Sequence, residues 1–263
     1  MTTAVAPQLR QRTAFEIVDV SIQLFRRHYP TFVMLAAIAI IPYLVVLWLS
    51  GFMSLVAGVK PTGPQIGLGS MTGLLISLTL LWSYVFKGAV IVAASDAYLK
   101  GTVDPGRAIA TTWSRAWALM GAAILLGIAM FFGAFAILIG AIYVYLRYFA
   151  VAPVLLLEGT DTTNAFHRSR DLSRGFKWRI FGTMLLSWLI LWAVFIGLEV
   201  VVAFLPVSPL ARQVVNPVAQ ILVSPLLLIV LTVLYYDQRV RKDGFDLEVA
   251  TRDLAPAPGA LTA

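Results

Sequence analysis

Residues 118–157 read ALMGAAILLGIAMFFGAFAILIGAIYVYLRYFAVAPVLLL, forty positions that hold one charge, Arg147. A helix needs about 20 apolar residues to cross the hydrocarbon of a bilayer, so this stretch is long enough for two short crossings. Gly140-Ala141 supplies the turn that would divide them into spans over about 118–139 and 142–157. The same texture extends outward, predicting further spans over about 31–50, 71–99, 181–205 and 214–236. Composition agrees: the 263 residues are 60% hydrophobic and 13% charged, with a mean hydropathy of +0.86, against roughly 25% charged residues in soluble domains. A soluble fold could not cover itself with so few polar groups. The fold class is therefore an all-α integral membrane protein with about six transmembrane helices.

Short amphipathic interfacial helices are expected before spans 1, 3 and 5. Thr13-Ala14-Phe15-Glu16 has the pattern of a capping box, in which the Thr hydroxyl and the Glu carboxylate satisfy free amides at a helix start. Phe15, Val18, Ile22 and Phe25 then recur at three- and four-residue steps, and Pro30 is expected to end this helix. Asp104-Pro105 is a cap followed by a proline suited to a first helical turn, and Asp161, Thr162 or Thr163 can cap a third short helix bearing His167, Arg168, Arg170, Asp171 and Arg174. Each pair of spans ends at an acidic residue and a glycine: Asp96 to Gly101, Glu158-Gly159 and Asp237 to Gly244. A threefold repeat of surface helix, span and span fits this pattern, and chance matches in so biased a composition fit it too. Residues 1–8 and the Ala/Pro/Gly-rich 250–263 are expected to be disordered around a single membrane domain at 9–249. Residues 1–30 hold no uninterrupted apolar core with a cleavage site, so the first span is expected to insert as a resident anchor.

Charge placement decides orientation. Of the 20 Lys and Arg, Lys60 and Arg212 fall in the loops opposite the termini, Lys87 and Arg147 fall inside spans, and all the rest fall on the side of the termini. The positive-inside rule then predicts that both termini are cytoplasmic, and the same placement argues against nucleic acid as a partner despite the net charge of +7. The chain has no Cys, which excludes disulfides, thiolate metal sites and a Cys nucleophile.

Residues 232–248 read Thr-Val-Leu-Tyr-Tyr-Asp-Gln-Arg-Val-Arg-Lys-Asp-Gly-Phe-Asp-Leu-Glu. With Pro153 to Gly159 and the Arg168-Ser169-Arg170 run, this segment resembles the bacterial membrane proteins named for the glycerophosphoryl diester phosphodiesterase membrane domain. The likeness runs from the Phe15–Tyr29 helix to Glu248. It implies a multi-span protein of a bacterial cytoplasmic membrane, and it carries no catalytic residues over, since the spans leave no room for a separate phosphodiesterase domain.

No cofactor and no enzymatic activity are expected. His28 and His167, the two histidines, both lie in surface helices beside Arg, where a solvated role is the simpler reading. Serine-nucleophile, glycine-rich phosphate-loop and paired-histidine metal patterns are missing. Asp237, Asp243 and Asp246 are expected to pair with nearby Arg. The charges within spans carry more information, because an ionisable group at depth costs at least ~2.5 kcal/mol and usually has a partner. Lys87, Arg147 and Glu199 qualify. A ~1.5 Å rise per residue puts Lys87 ~20 Å above Lys100 and Arg147 ~16 Å above Glu158, at similar depth. Either the three line a polar cavity for an anionic head group or solute, or they are a structural ion pair and an Arg bonded to the carbonyls of a broken helix.

Ala123/Gly127, Ala129/Gly133 and Ala136/Gly140 stand at small-xxx-small spacing, suited to close helix approach. Tyr143, Tyr145, Tyr148, Trp178, Trp188 and Trp192 are candidates for interfacial belts. The basic rim holds Arg26, Arg27, Arg168, Arg170, Arg174, Lys177, Arg179, Arg239 and Arg241, with Lys242 beside them. Each basic residue near anionic lipid contributes about 1 kcal/mol, so phospholipid head groups are the expected partner, with a membrane protein as a second candidate. A bare orientation signal is equally compatible. The resulting reading is a non-enzymatic protein of membrane organisation or of lipid or partner-protein handling. Its alternatives are a transporter or channel built on Lys87, Arg147 and Glu199, then a lipid-modifying enzyme.

Overall fold

The structure, a computed structural model, describes residues 9–51, 70–134, 139–204 and 209–248. The expected disorder at both termini and the loop with Lys60 lie outside those residues. Among the described residues there is no strand, and six helical stretches are long and apolar enough to cross a membrane. The chain is an all-α, multi-span membrane protein.

The first unit is α1 (Ala14–Arg27), α2 (Tyr29–Leu49) and α3 (Ser70–Lys100). The capping box at Thr13 forms, with the Glu16 amide donating to the Thr13 hydroxyl and the Thr13 amide donating to the Glu16 carboxylate. Pro30 does not end α1. The helix stops at Arg27, and Pro30 falls in the first turn of α2, where a missing N–H costs nothing. Pro42 in the middle of α2 leaves the Ile38 carbonyl without its helical donor, and the Trp82 indole of α3 supplies one at 3.0 Å.

The second unit is α4 (Pro105–Ser114), α5 (Ala116–Ala134) and α6 (Ile139–Arg147), followed by the short turn α7 (Val151–Pro153) and a π-helical segment Val154–Glu158. The sequence expectation fails here in two ways. Gly140-Ala141 lies inside α6, not in a turn, because Gly140 serves close packing: a Cβ on Gly133 would stand 3.0 Å from the Gly140 carbonyl and the Ala141 amide. Span four is also not one helix. It breaks after Arg147, where the Ser169 and Ser173 hydroxyls of the next surface helix donate to the Arg147 carbonyl at 3.4 and 3.1 Å and substitute for the missing helical donor.

The third unit is α8 (Thr162–Ser173), α9 (Lys177–Phe204), α10 (Pro209–Val223) and α11 (Pro225–Asp243). The expected loop from Pro206 to Arg212 is helical from Pro209 onward, and span six is divided at Ser224-Pro225. A surface helix, a span and a second, longer or interrupted span thus recur three times in chain order, and Gly101, Gly159 and Gly244 end the three units at φ of +71, +70 and +64°. Only glycine takes that left-handed conformation without strain.

The second spans form the centre. In their most apolar windows 44, 44 and 50% of residues are buried, against 33, 17 and 17% for the first spans. Ile91 of α3, Leu155 of the π-segment and Ile229, Val233 and Leu234 of α11 share one core, which α1 joins through Ile17. This centre carries the acidic unit ends to one face.

Candidate functional site: the basic face

Each central span delivers a carboxylate to the face that carries α1, α4 and α8, and each carboxylate is held by the start of the next unit. Asp96 of α3 is buried and accepts from Arg107 of α4 through two guanidinium nitrogens, with the Lys100 ammonium at 3.0 Å. Glu158 accepts from Arg168 of α8 at 3.2 Å and from the Tyr235 hydroxyl at 2.7 Å. The π-helical turn before it adds a residue to the helical repeat and so rotates Glu158 relative to a regular helix. Asp237 of α11 returns to the beginning of the chain. It is 2% exposed and accepts from the Arg12 amide at 2.7 Å, from Arg179 at 2.8 Å and from Arg241 at 2.9 Å. Both arginines also donate to the Arg12 carbonyl. The three units therefore close into a ring of charge-assisted bonds, which are stronger than neutral ones.

The end of α11 is the hub of this face. The Tyr236 hydroxyl meets Ser95 at 2.6 Å, and the Arg239 guanidinium lies 4.0 Å from the centre of the Phe245 ring. Asp243 is bridged by Arg168 and lies 3.6 Å from Arg239. Gln238 is fully buried, and neither its amide nitrogen nor its oxygen has a hydrogen-bond partner among the described residues. Partial burial disfavours the Arg168 charge, but hydrogen bonds and the fields of Asp243 and Glu158 outweigh it and raise its pKa above the ordinary arginine value. Asp246, expected to pair with an Arg, makes no ion pair among the described residues. No group of three or more His, Asp or Glu among the described residues stands close enough to hold a metal ion.

The nine cations of the expected rim therefore divide. Arg168, Arg179, Arg239 and Arg241 turn inward and are neutralised within the protein. Arg26, Arg27, Arg170 and Arg174 are exposed, Lys177 is half-buried, and among the described residues their only ion pair is a loose one of 3.8 Å between Arg170 and Asp171. The sequence did not separate the two groups, since partners of the inward cations lie up to 230 positions away along the chain.

Lys87, Arg147 and Glu199 do not converge. On the unbroken α3, Lys87 stands ~20 Å from Lys100, while on the unbroken α9, Glu199 stands ~30 Å from Arg179 at a ~1.5 Å rise. Arg147 is not at the depth of either. The ~16 Å height expected for it assumed a straight helix, and the break instead ties its carbonyl to the surface helix α8. Lys87 and Glu199 are both exposed on their helices and make no ion pair with each other. The two histidines also differ. His167 is exposed, whereas His28 packs edge-on to Phe32 with its Nε2 buried and without a hydrogen-bond partner among the described residues. Burial and the neighbouring Arg27 lower the His28 pKa, against a smaller opposing effect from the Gly101 backbone.

No protein-family model, no curated protein and no solved structure matches this chain. The site is therefore read from its own chemistry.

Proposed function

We propose that the chain is a non-enzymatic protein of a bacterial cytoplasmic membrane, with both termini cytoplasmic, that gathers anionic phospholipid at its basic face and so serves membrane organisation. The resemblance to the glycerophosphoryl diester phosphodiesterase membrane-domain proteins is part of the same proposal. The observation that supports it is the division of the rim: after the internal carboxylates have taken four arginines, Arg26, Arg27, Arg170 and Arg174 remain exposed. At about 1 kcal/mol for each cation near an anionic surface, four of them favour an anionic over a zwitterionic leaflet strongly enough to measure.

Native mass spectrometry of the gently extracted protein tests this reading. The wild type is expected to retain phosphatidylglycerol or cardiolipin in preference to phosphatidylcholine, and the variant Arg26→Gln/Arg27→Gln/Arg170→Gln/Arg174→Gln is expected to retain less. A wild type that carries no lipid, or carries both classes equally, makes the reading wrong.

A further inference from the structure

We propose that Arg147, Lys177 and the Tyr143 hydroxyl form a discrete site for a phosphate group at the edge of the membrane, filled by the phosphodiester of an anionic phospholipid. The proposal rests on the lipid reading and narrows it from a diffuse basic face to one cluster of named groups. The helix break creates the site. α6 stops at Arg147 and helical structure resumes at Val151. The break is held open by Ser169 and Ser173 of α8, which donate to the Arg147 carbonyl, and by the Ala150 amide, which donates to the Ser169 hydroxyl at 3.1 Å. Arg147 is thereby fixed at the boundary between a spanning segment and a surface helix, the depth at which lipid phosphates sit.

Two cations meet there on one phenol. The Arg147 guanidinium donates to the Tyr143 hydroxyl at 3.4 Å, and the Lys177 ammonium lies 4.0 Å from the centre of the Tyr143 ring. Among the described residues neither has a carboxylate within ion-pair distance, whereas Arg168, Arg179, Arg239 and Arg241 on the same face all do. Like charges held on a common anchor repel, and the repulsion grows as water is excluded. The arrangement is relieved when an anion lies between them. Among the described residues the buried Arg147 Nε finds no hydrogen-bond partner, so the guanidinium keeps an unsatisfied donor in a fork whose geometry suits a phosphate. Tyr143 adds a hydroxyl that can donate to a phosphate oxygen while it accepts from Arg147. Trp178, next to Lys177, is 86% exposed, as an aromatic at the head-group level of a bilayer is. Lipid phosphodiester and free phosphate share the chemistry this site recognises; the bilayer-edge position favours the lipid.

The test uses the full chain in detergent, titrated with phosphatidylglycerol, phosphatidylcholine and inorganic phosphate, and read by native mass and by the shift in melting temperature. Variants are Arg147→Gln, Lys177→Gln and the four-arginine rim variant. Lys177→Gln gives up its contact with Tyr143 but leaves the bonds that hold the helix break open, and so provides a folded comparison should Arg147→Gln fail to fold. Phosphatidylglycerol is expected to bind the wild type, with at least tenfold weaker binding in Lys177→Gln and Arg147→Gln, while the rim variant keeps one tightly held lipid. Binding of phosphatidylglycerol that survives both site variants and disappears from the rim variant overturns the site and leaves the lipid reading intact. Inorganic phosphate that stabilises the wild type but neither site variant, with no lipid retained, supports the phosphate site and overturns its assignment to lipid. No ligand on the wild type overturns both.

Discussion

At the scale of single residues, the basic face is ordered by carboxylates and not by the more numerous cations. Asp237 shows why. Its carboxylate is nearly inaccessible and is the shared acceptor of a backbone amide and two guanidinium groups. Removing one partner from such a cluster leaves the others charged and unmatched, a loss of about 3–5 kcal/mol where burial is complete. Arg179 and Arg241 keep some contact with water, so Asp237→Ala is expected to cost about 3 kcal/mol. It should lower the melting temperature in detergent far more than Asp19→Ala, whose carboxylate meets only the exposed Gln23. Equal shifts in the two variants would mean that the Arg12–Asp237 closure contributes nothing special. Capping chemistry at this scale was legible in the sequence, because the Thr13 box lies within four consecutive residues. Ring closure was not legible. Nothing local marks Arg12 as the partner of a residue 225 positions away. The Tyr-Tyr-Asp-Gln-Arg run was the available signal, since so many hydrogen-bonding groups at the end of an apolar helix need partners.

At the scale of elements, hydropathy gave the number of spans and the three surface helices, while their interruptions depended on contacts that hydropathy does not register. The small-residue pairs of α5 illustrate the difference. Gly127 and Gly133 have the same spacing signal, yet a Cβ on Gly127 meets nothing within 4 Å and one on Gly133 meets the backbone of α6 at 3.0 Å. Backbone cannot yield as a flexible side chain can. Gly133→Ala is therefore expected to destabilise the α5–α6 hairpin by about 1–3 kcal/mol, with Gly127→Ala neutral or slightly stabilising as glycine is a poor helix former. Thermal unfolding of the two variants checks this; a Gly127→Ala loss equal to that of Gly133→Ala would show that the exposed face of α5 is packed against something else. The break after Arg147 follows the same logic. An uninterrupted apolar pattern predicts one straight helix, but two serines on α8 compete for the Arg147 carbonyl, and the π-helical turn then carries Glu158 to Arg168 and Tyr235.

At the scale of the molecule, three units meeting head to tail bring both ends of the described chain to one face, where Arg12 and Gln11 bond to Asp237 and Arg241. Six spans and this closure agree, since an even number of crossings returns the chain to the side from which it began. The cytoplasmic orientation proposed for that face rests on charge alone, through the positive-inside rule and the exposed arginines. The absence of cysteine makes the assignment directly testable, because a single introduced thiol has no background. Leu247→Cys places a thiol on an exposed residue of the basic face, and Lys60→Cys places one between the first two spans. In intact cells a membrane-impermeant maleimide is expected to label Lys60→Cys and to label Leu247→Cys only after the membrane is opened. Reversed labelling would put the basic face outside, away from the anionic inner leaflet, and would remove the electrostatic basis of lipid gathering while leaving the ring of units unchanged. Labelling of both positions in intact cells would contradict the even number of crossings itself.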